Sequence, residues 1–443
     1  MEPSEGKTPN MSRFDNVSTK QGRIAELAKK EKDMVMNLSH HMDMDWFMEA
    51  FRRTRKSGAV GIDGETAQMY KENLEDNLQS LLKRAKSGSY RAPAIRRVHI
   101  PKDGKGKETR PIGITTFEDK VLQRAGVMAL EPVYEQDFLD CSHGFRPRRS
   151  THMALKVLRE TLKAMGGGYV IDLDIRKFFD TLDHIHIQKI LRQRVRDGVL
   201  LRLIGKWLNA GVMEEGCITY SDLGVPQGGV ISPLLSNIYL HEVLDKWFEE
   251  VVKTHLKGKA FMVRFADDAV LVFKRREDAE RVMEVLPKRF EKYGLKLHPE
   301  KTRLLDFKRP GDQGAGGNDS ATFNFLGFTH YWARSREGYW VVKRKTMKER
   351  LSRALKRLNQ WVREVRHEPI AKQHKDLCAK VRGHIQYYGI IGNSKAIVSF
   401  VYYAEKCWKK WLGRRSHAAH RTWEWFRALS ERFPLPRPKI CHS

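Results

Sequence analysis

FMVRFADDAVLVF, Phe261 to Phe273, is the stretch on which the reading of this chain turns. Apolar, β-prone runs flank Asp267 and Asp268, a pattern that predicts a tight β-hairpin with an acidic pair at its turn. Adjacent carboxylates between buried strands repel each other and lose hydration, so they are either protonated or covered by a cation. Acidic residues are also common in ordinary solvated turns, and this stretch alone does not separate the two readings. A second acidic strand elsewhere strengthens the metal reading.

That strand is YVIDLDI, Tyr169 to Ile175, entered from Gly166-Gly167-Gly168 and followed by RKFFDTLDH. With a period of two, Asp172 and Asp174 share a face with Val170, while Ile171, Leu173 and Ile175 take the other. A third carboxylate beside the hairpin turn completes a set of hard oxygen ligands for Mg²⁺, which takes one or two carboxylates together with waters and substrate phosphates. Two such ions, about 3.5–4 Å apart, clamp the attacking and leaving oxygens of a phosphoryl transfer. The chemistry pointed to is nucleotidyl transfer.

The 443 residues suffice for about three domains. Lys and Arg number 82 against 54 Asp and Glu, a net charge of +28, which calls for a polyanionic partner. No run of about 18 apolar residues and no N-terminal apolar signal segment is present, so a membrane span or secretion is not expected. Cys141, Cys217, Cys378, Cys407 and Cys441 form no CxxC pair, which argues against a zinc ribbon or disulfide framework and fits a reducing cytoplasm.

Residues 1–38 are polar and poor in aromatics and read as a flexible arm, with one helix near Gln21 to Lys32; 39–90 read as a helical N-terminal extension. Arg96 to Pro101 and Thr109 to Ile114 predict a basic hairpin joined across KDGKGKE, with Lys102 and Arg110 facing each other near its tip. It is either a solvated basic loop or a clamp for triphosphate oxygens. Phe117 to Val133 predicts a helix leading into CSHGFRPRRS, where Arg146, Arg148 and Arg149 suit backbone phosphates as well as they suit a plain surface loop. His184 to Leu208 reads as helical, and VPQGGVISPLLSNIYL (Val225 to Leu240) as a glycine turn opening a helix. LKLHPEKTRLLDF predicts a strand, a turn at His298-Pro299 and a second strand; FNFLGFTHYW predicts a hairpin edge.

From residue 346 the pattern is helical, with one apolar stripe at Met347, Leu351, Leu355, Leu358, Val362 and Val365 and another at Leu377, Val381, Ile385 and Tyr388. Residues 341–443 carry 25 Lys and Arg against 7 Asp and Glu, most of the chain's positive excess. The interleaved tryptophans Trp361, Trp408, Trp411, Trp423 and Trp425 serve an RNA-binding face, a core, or both.

The order of these motifs resembles the bacterial group II intron reverse transcriptases, or maturases, from about residue 40 onward. RRVHIPK with TRPIGI, HGFRPRRS, DLDIRKFFDTLDH, VPQGGVISPLLSNIYL, FADD, LHPEKT and FNFLGF are similar to the successive blocks of that family, and RGHIQYYG (Arg382 to Gly389) to its thumb signature. The resemblance implies an α+β right-hand polymerase, with fingers and an antiparallel-sheet palm over 91–335, a three-helix thumb or maturase domain over 336–412, and a short basic segment over 413–443. It implies that Asp174, Asp267 and Asp268 bind two Mg²⁺ ions, with Mn²⁺ as a substitute and Asp172 as the lesser alternative to Asp174. Lys102 and Arg110 would hold the triphosphate, Phe179 would exclude a ribose 2′-OH, Gln227 would flank the incoming nucleotide, and Lys301 would protonate pyrophosphate. Arg146, Arg148, Arg382, Tyr387 and Tyr388 would touch RNA. The implied partners are an RNA template, a DNA or RNA primer, dNTPs and a structured intron RNA.

Two departures bear on this. Phe265 stands where the family usually has tyrosine before Ala-Asp-Asp, which implies altered primer contacts or fidelity. Many relatives continue into a Cys-rich HNH endonuclease, whereas FPLPRPKICHS lacks paired cysteines, so nicks or single strands would come from elsewhere. The leading expectation is an RNA-directed DNA polymerase that assists intron splicing and mobility. Its rivals are an RNA-binding splicing factor with vestigial polymerase activity and a domesticated enzyme of DNA repair or phage defence.

Overall fold

A computed structural model describes residues 13–32, 36–101, 109–214, 216–221, 223–224, 227–311, 321–416 and 422–442. Four helices come first: α1 (Arg13–Lys30), α2 (Met44–Arg53), α3 (Ala67–Glu72) and α4 (Leu74–Ser87). The helix expected near Gln21 to Lys32 is present and longer, beginning at Arg13, and it is packed where a flexible arm was expected. Val17, Ile24 and Ala28 lie on one face of α1 and are fully buried, against α2 and against α5 (Phe117–Asp137) farther on. That apolar stripe is one residue wide, so mean composition hides it. Gln21 fixes the helix by donating to the Met128 carbonyl at 2.8 Å.

The basic hairpin forms from β1 (Ile95–Pro101) and β2 (Thr109–Ile114). Its register sets Arg110 opposite Ile100, not opposite Lys102, and Lys102 itself lies outside the described residues. Thr116 caps α5 by accepting from the Asp119 amide, and α5 is buried on most of its surface, with Gly126 leaving room for the Trp207 ring. Then come α6 (Thr151–Met165), β3 (Tyr169–Leu173), α7 (Phe178–Thr181), α8 (His184–Leu191) and α9 (Gly198–Leu208). The helix expected over His184–Leu208 is thus two, broken where Asp197 caps α9 by accepting from Val199 and Leu200 and also from the Leu38 and Ser39 amides.

A short hairpin of β4 (Val212–Glu214) and β5 (Cys217–Thr219) extends the basic one, β4 running parallel to β1. Next come α10 (Ser232–Leu240), continued in wider π turns to Val252, β6 (Ala260–Phe265), β7 (Asp268–Phe273), α11 (Arg276–Glu291) and β8 (Arg303–Asp306). The central sheet is antiparallel in the order β6-β7-β3-β8. Ile171, Leu173, Met262, Leu271 and Phe273 face a core shared with α11, while Val170, Val263, Val270 and Val272 face α6 and Phe307. Burial on both faces is why AVLVF is an unbroken apolar run. Each such side chain contributes about 1.5–3 kcal/mol, which makes the sheet a rigid base for its loops.

After β9 (Phe323–Phe325), β10 (Phe328–Arg334) and β11 (Trp340–Thr346), α12 (Lys348–Glu364), α13 (Ile370–Tyr388) and α14 (Ser394–Leu412) pack around Leu358, Val362, Leu377, Val381, Phe400 and Trp408. On α12 the expected stripe is fully buried only at Leu358 and Val362. Residues expected to be a plain basic segment hold a further helix, α15 (Trp423–Arg432), and a returning stretch in which the Cys441 amide donates to the Gly389 carbonyl at 2.6 Å. The tryptophans divide. Trp408 is buried and donates to Gln373 Oε1 at 3.1 Å, whereas Trp423 is 47% exposed beneath Lys409. Among the described residues no helix is long and apolar enough to cross a membrane.

Candidate active site

Strand register gathers the acids that lie apart in sequence. The β3–β7 ladder ends at Leu173 opposite Ala269, so one further step sets Asp174 against Asp268. The β6–β7 ladder closes at Phe265 opposite Asp268, leaving Ala266 and Asp267 as a two-residue turn. Ala266 adopts φ 58°, a positive value that suits the twist of a hairpin but strains a residue other than glycine. Asp174 is fixed from the other side: its carbonyl accepts from the His298 amide at 2.8 Å and from the Thr302 hydroxyl at 3.2 Å.

Burial raises the Asp267 pKa, and the Asp174 charge raises it further while Arg110 opposes. Asp268 is pushed up to about 7, by loss of hydration first and then by Asp267, Asp174 and Asp172. Its carboxyl opens onto the cleft, where water screens part of that repulsion. Burial likewise lifts Asp172 to about 6, against the opposing Arg303. Cations already lean on the cluster, Lys301 at 3.2 Å from Asp174 and Arg303 at 3.7 Å from Asp172. Among the described residues no group of three or more His, Cys, Asp or Glu is arranged to hold a metal unaided. Carboxylate oxygens of this kind are the hard donors that ions such as Mg²⁺ or Mn²⁺ take together with waters and substrate oxygens.

A cavity of about 610 Å³ opens on Asp172, Asp174, Asp268, Lys301 and Arg350, with Tyr387 and Tyr388 of α13 as a wall. The Tyr387 hydroxyl donates to the Leu326 carbonyl at 3.0 Å, and both rings pack on Phe328. Arg382 is exposed on α13 and does not line the cavity. Arg148 is also exposed. Arg146 corrects the sequence reading: it is buried, paired with Glu135 at 3.1 Å and donating to the Leu139 and Ser142 carbonyls, so its guanidinium is used up inside the fold.

Arg110, Phe179 and Gln227 lie outside that cavity. Phe179 packs half-buried against Phe178. The Gln227 carbonyl accepts from the Gly113 amide at 2.6 Å, and a Cβ on Gly228 would come within 2.3 Å of the Gly113 carbonyl, so only glycine permits this approach to β2. Behind the turn, Gln123 Oε1 accepts from the Ile231 amide at 3.2 Å, and buried Asp119 holds Gln123, Tyr90 and Trp207. Sequence reasoning passed over Asp119, and over Arg264 in β6. For Arg264 the available signal was a charged residue inside an apolar run, which must be paired when buried; Asp119, set between Glu118 and Lys120, carried no such signal.

Residues 100–330, a span containing Asp174, Asp267 and Asp268, match the family model described as reverse transcriptase (RNA-dependent DNA polymerase). The chain belongs to the reverse transcriptase family. It is 35% identical over 333 residues to Protein YkfC of Escherichia coli K12, covering 66% of this chain and 82% of that protein. It is 40% identical over 187 residues to the group II intron-encoded protein LtrA of Lactococcus lactis, covering 42% of this chain but 30% of that protein. A 29% identity over 177 residues links it to nuclear intron maturase 2 of Arabidopsis thaliana, over 31% of this chain and 24% of that protein. Within its family it is a bacterial group II intron-like reverse transcriptase of the maturase branch.

Proposed function

We propose that the chain is an RNA-directed DNA polymerase that copies RNA into cDNA and also binds a group II intron RNA to assist its splicing and mobility. The observation that carries this reading is the register that sets Asp174 opposite Asp268 beside the Asp267 turn. In this reading the central sheet is the palm, the β1–β2 and β4–β5 hairpins belong to the fingers, and α12–α14 form the thumb.

Asp174, Asp267 and Asp268 would hold two Mg²⁺ ions, or Mn²⁺ in their place. When bound, such ions polarise the phosphoryl oxygens and neutralise charge developing on the attacking and leaving oxygens. The protein's own part is orientation. Arg110 with Lys102 engages the triphosphate, Gln227 supports the nucleotide from a turn pinned to β2, and the Phe179 ring closes the space a 2′-OH would need. Lys301, beside Asp174, carries the proton for departing pyrophosphate. The wall of Tyr387 and Tyr388, with the exposed Arg148 and Arg382, faces the RNA template and a DNA or RNA primer. Because the match covers only 30% of LtrA, the intron RNA partner rests on likeness alone.

Extension of a DNA primer on an RNA template, with Mg²⁺ and either dNTPs or rNTPs, tests the reading. Extension should vanish in Asp267→Ala, and rNTPs should be accepted only in Phe179→Ala. A wild-type protein that extends no primer while still binding RNA overturns the polymerase assignment.

A further inference from the structure

Arg264 is fully buried in β6, and so is Asp245, on the π-turn stretch after α10. All five guanidinium N–H groups have an acceptor. Nε and Nη2 form a fork on Asp245 at 2.7 and 2.5 Å, and Nη2 also reaches Ser142 Oγ at 2.7 Å. Nη1 donates to Asn237 Oδ1 at 3.0 Å and to the Ala266 carbonyl at 2.9 Å. That last acceptor is the carbonyl of Ala266, the residue of positive φ between Phe265 and the acidic pair.

The surroundings tighten the same turn. The loop after α5 runs beside β6: the Arg264 amide donates to the Cys141 carbonyl at 2.7 Å, and the His143 amide to the Arg264 carbonyl at 2.8 Å. A Cβ on Gly144 would fall 2.3 Å from the Ala266 nitrogen, so the loop lies flat on the turn. Asn237 grips both sides, accepting from Arg264 and donating to the Gly144 carbonyl at 2.6 Å. A buried ion pair is weak support for stability, since apolar residues of similar volume often serve as well. A planar fork with five fixed donors is instead suited to holding one geometry, which a lysine's point charge does not do.

We infer that Arg264, locked by Asp245, is a positioning residue of the reaction, a carbonyl clamp that holds the Ala266 peptide and thereby aims Asp267 and Asp268. This rests on the polymerase reading above and adds to it a residue that touches neither substrate nor metal. Groups of this outer kind change metal affinity or activity by about 10–100-fold when removed.

The test compares wild type, Arg264→Lys and the paired Arg264→Met/Asp245→Leu replacement, which removes both buried charges together and keeps the question open to measurement should the lysine variant fail to fold. Circular dichroism and melting establish folding, Mn²⁺ affinity is read by electron paramagnetic resonance, and single-nucleotide extension gives kcat and KM. For a folded variant we expect Mn²⁺ affinity and kcat each to fall by about 10–100-fold, with the KM for dNTP and the Kd for primer–template within about twofold of wild type. A folded variant with wild-type Mn²⁺ affinity and kcat overturns the clamp, as does a loss of kcat matched by an equal loss of primer–template binding. A wild type that binds Mn²⁺ without extending primers refutes the polymerase reading instead, and the clamp is then judged on Mn²⁺ affinity. A wild type that does neither removes both.

Discussion

Replacing Asp119 with alanine removes a side chain of α5 that ties Tyr90, just after α4, to Trp207 of α9 behind the Gln227 turn. Its carboxylate accepts from Tyr90 Oη at 2.7 Å, Trp207 Nε1 at 2.8 Å and Gln123 Nε2 at 2.9 Å. Three buried donors would be orphaned at about 1–3 kcal/mol each, a gross loss of roughly 3–6 kcal/mol where partial relaxation occurs. Against this stands relief of a buried charge, because burial pushes the Asp119 pKa up to about 6. A carboxyl whose folded pKa is raised contributes most at low pH and loses that contribution as pH rises from about 4 through about 6. Wild type therefore carries roughly 3 kcal/mol of ionisation penalty near neutral pH, which alanine does not share. The cost of Asp119→Ala should thus be about 0–3 kcal/mol near pH 7.5 and larger by about 1–2 kcal/mol near pH 4.5. Urea denaturation followed by tryptophan fluorescence, with Trp207 inside the perturbed site, measures both. Through Gln123 and Ile231 the loss should also raise the KM for dNTP. A cost that is the same at both pH values, or below about 1 kcal/mol at each, would refute the reasoning.

Three further outcomes follow from the same geometry. Arg146→Ala should lower the melting temperature, by removing the donor to Glu135 and to the Leu139 and Ser142 carbonyls at about 1–3 kcal/mol, whereas Arg148→Ala should leave melting unchanged and weaken RNA binding; equal effects on melting would contradict the burial difference. Trp408→Ala should cost about 3–5 kcal/mol and Trp423→Ala less than about 1 kcal/mol, with the larger drop in RNA affinity in the second, as read by melting and filter binding. RNA affinity should fall by about 10³ or more between roughly 50 and 200 mM salt if six or more phosphates are neutralised, and a flat response would remove the case for the basic C-terminal helices as an RNA surface.

Legibility divided along physical lines. The FADD hairpin, the acidic strand, the basic hairpin and the stripe on α13 all carry their signal in local periodicity, where apolar spacing dictates which backbone geometry buries them. The stripe of α1 was legible only over its second half, and its docking not at all: three buried residues spread over 12 positions are covered because α2 and α5 supply the complementary surface. The sequence by itself determined which residue types were present, an acidic pair in an apolar run and a second pair in a buried strand. Tertiary structure alone decided that Asp174 faces Asp268, since pairing between β3 and β7 joins residues nearly a hundred positions apart. It also decided which arginines remain available: Arg146 looks like a surface cation in sequence and Arg264 does not announce its partners, yet each is consumed by buried acceptors. A charge reads the same in any sequence, but its use depends on which acceptors the fold delivers within hydrogen-bond reach, and those come from distant segments.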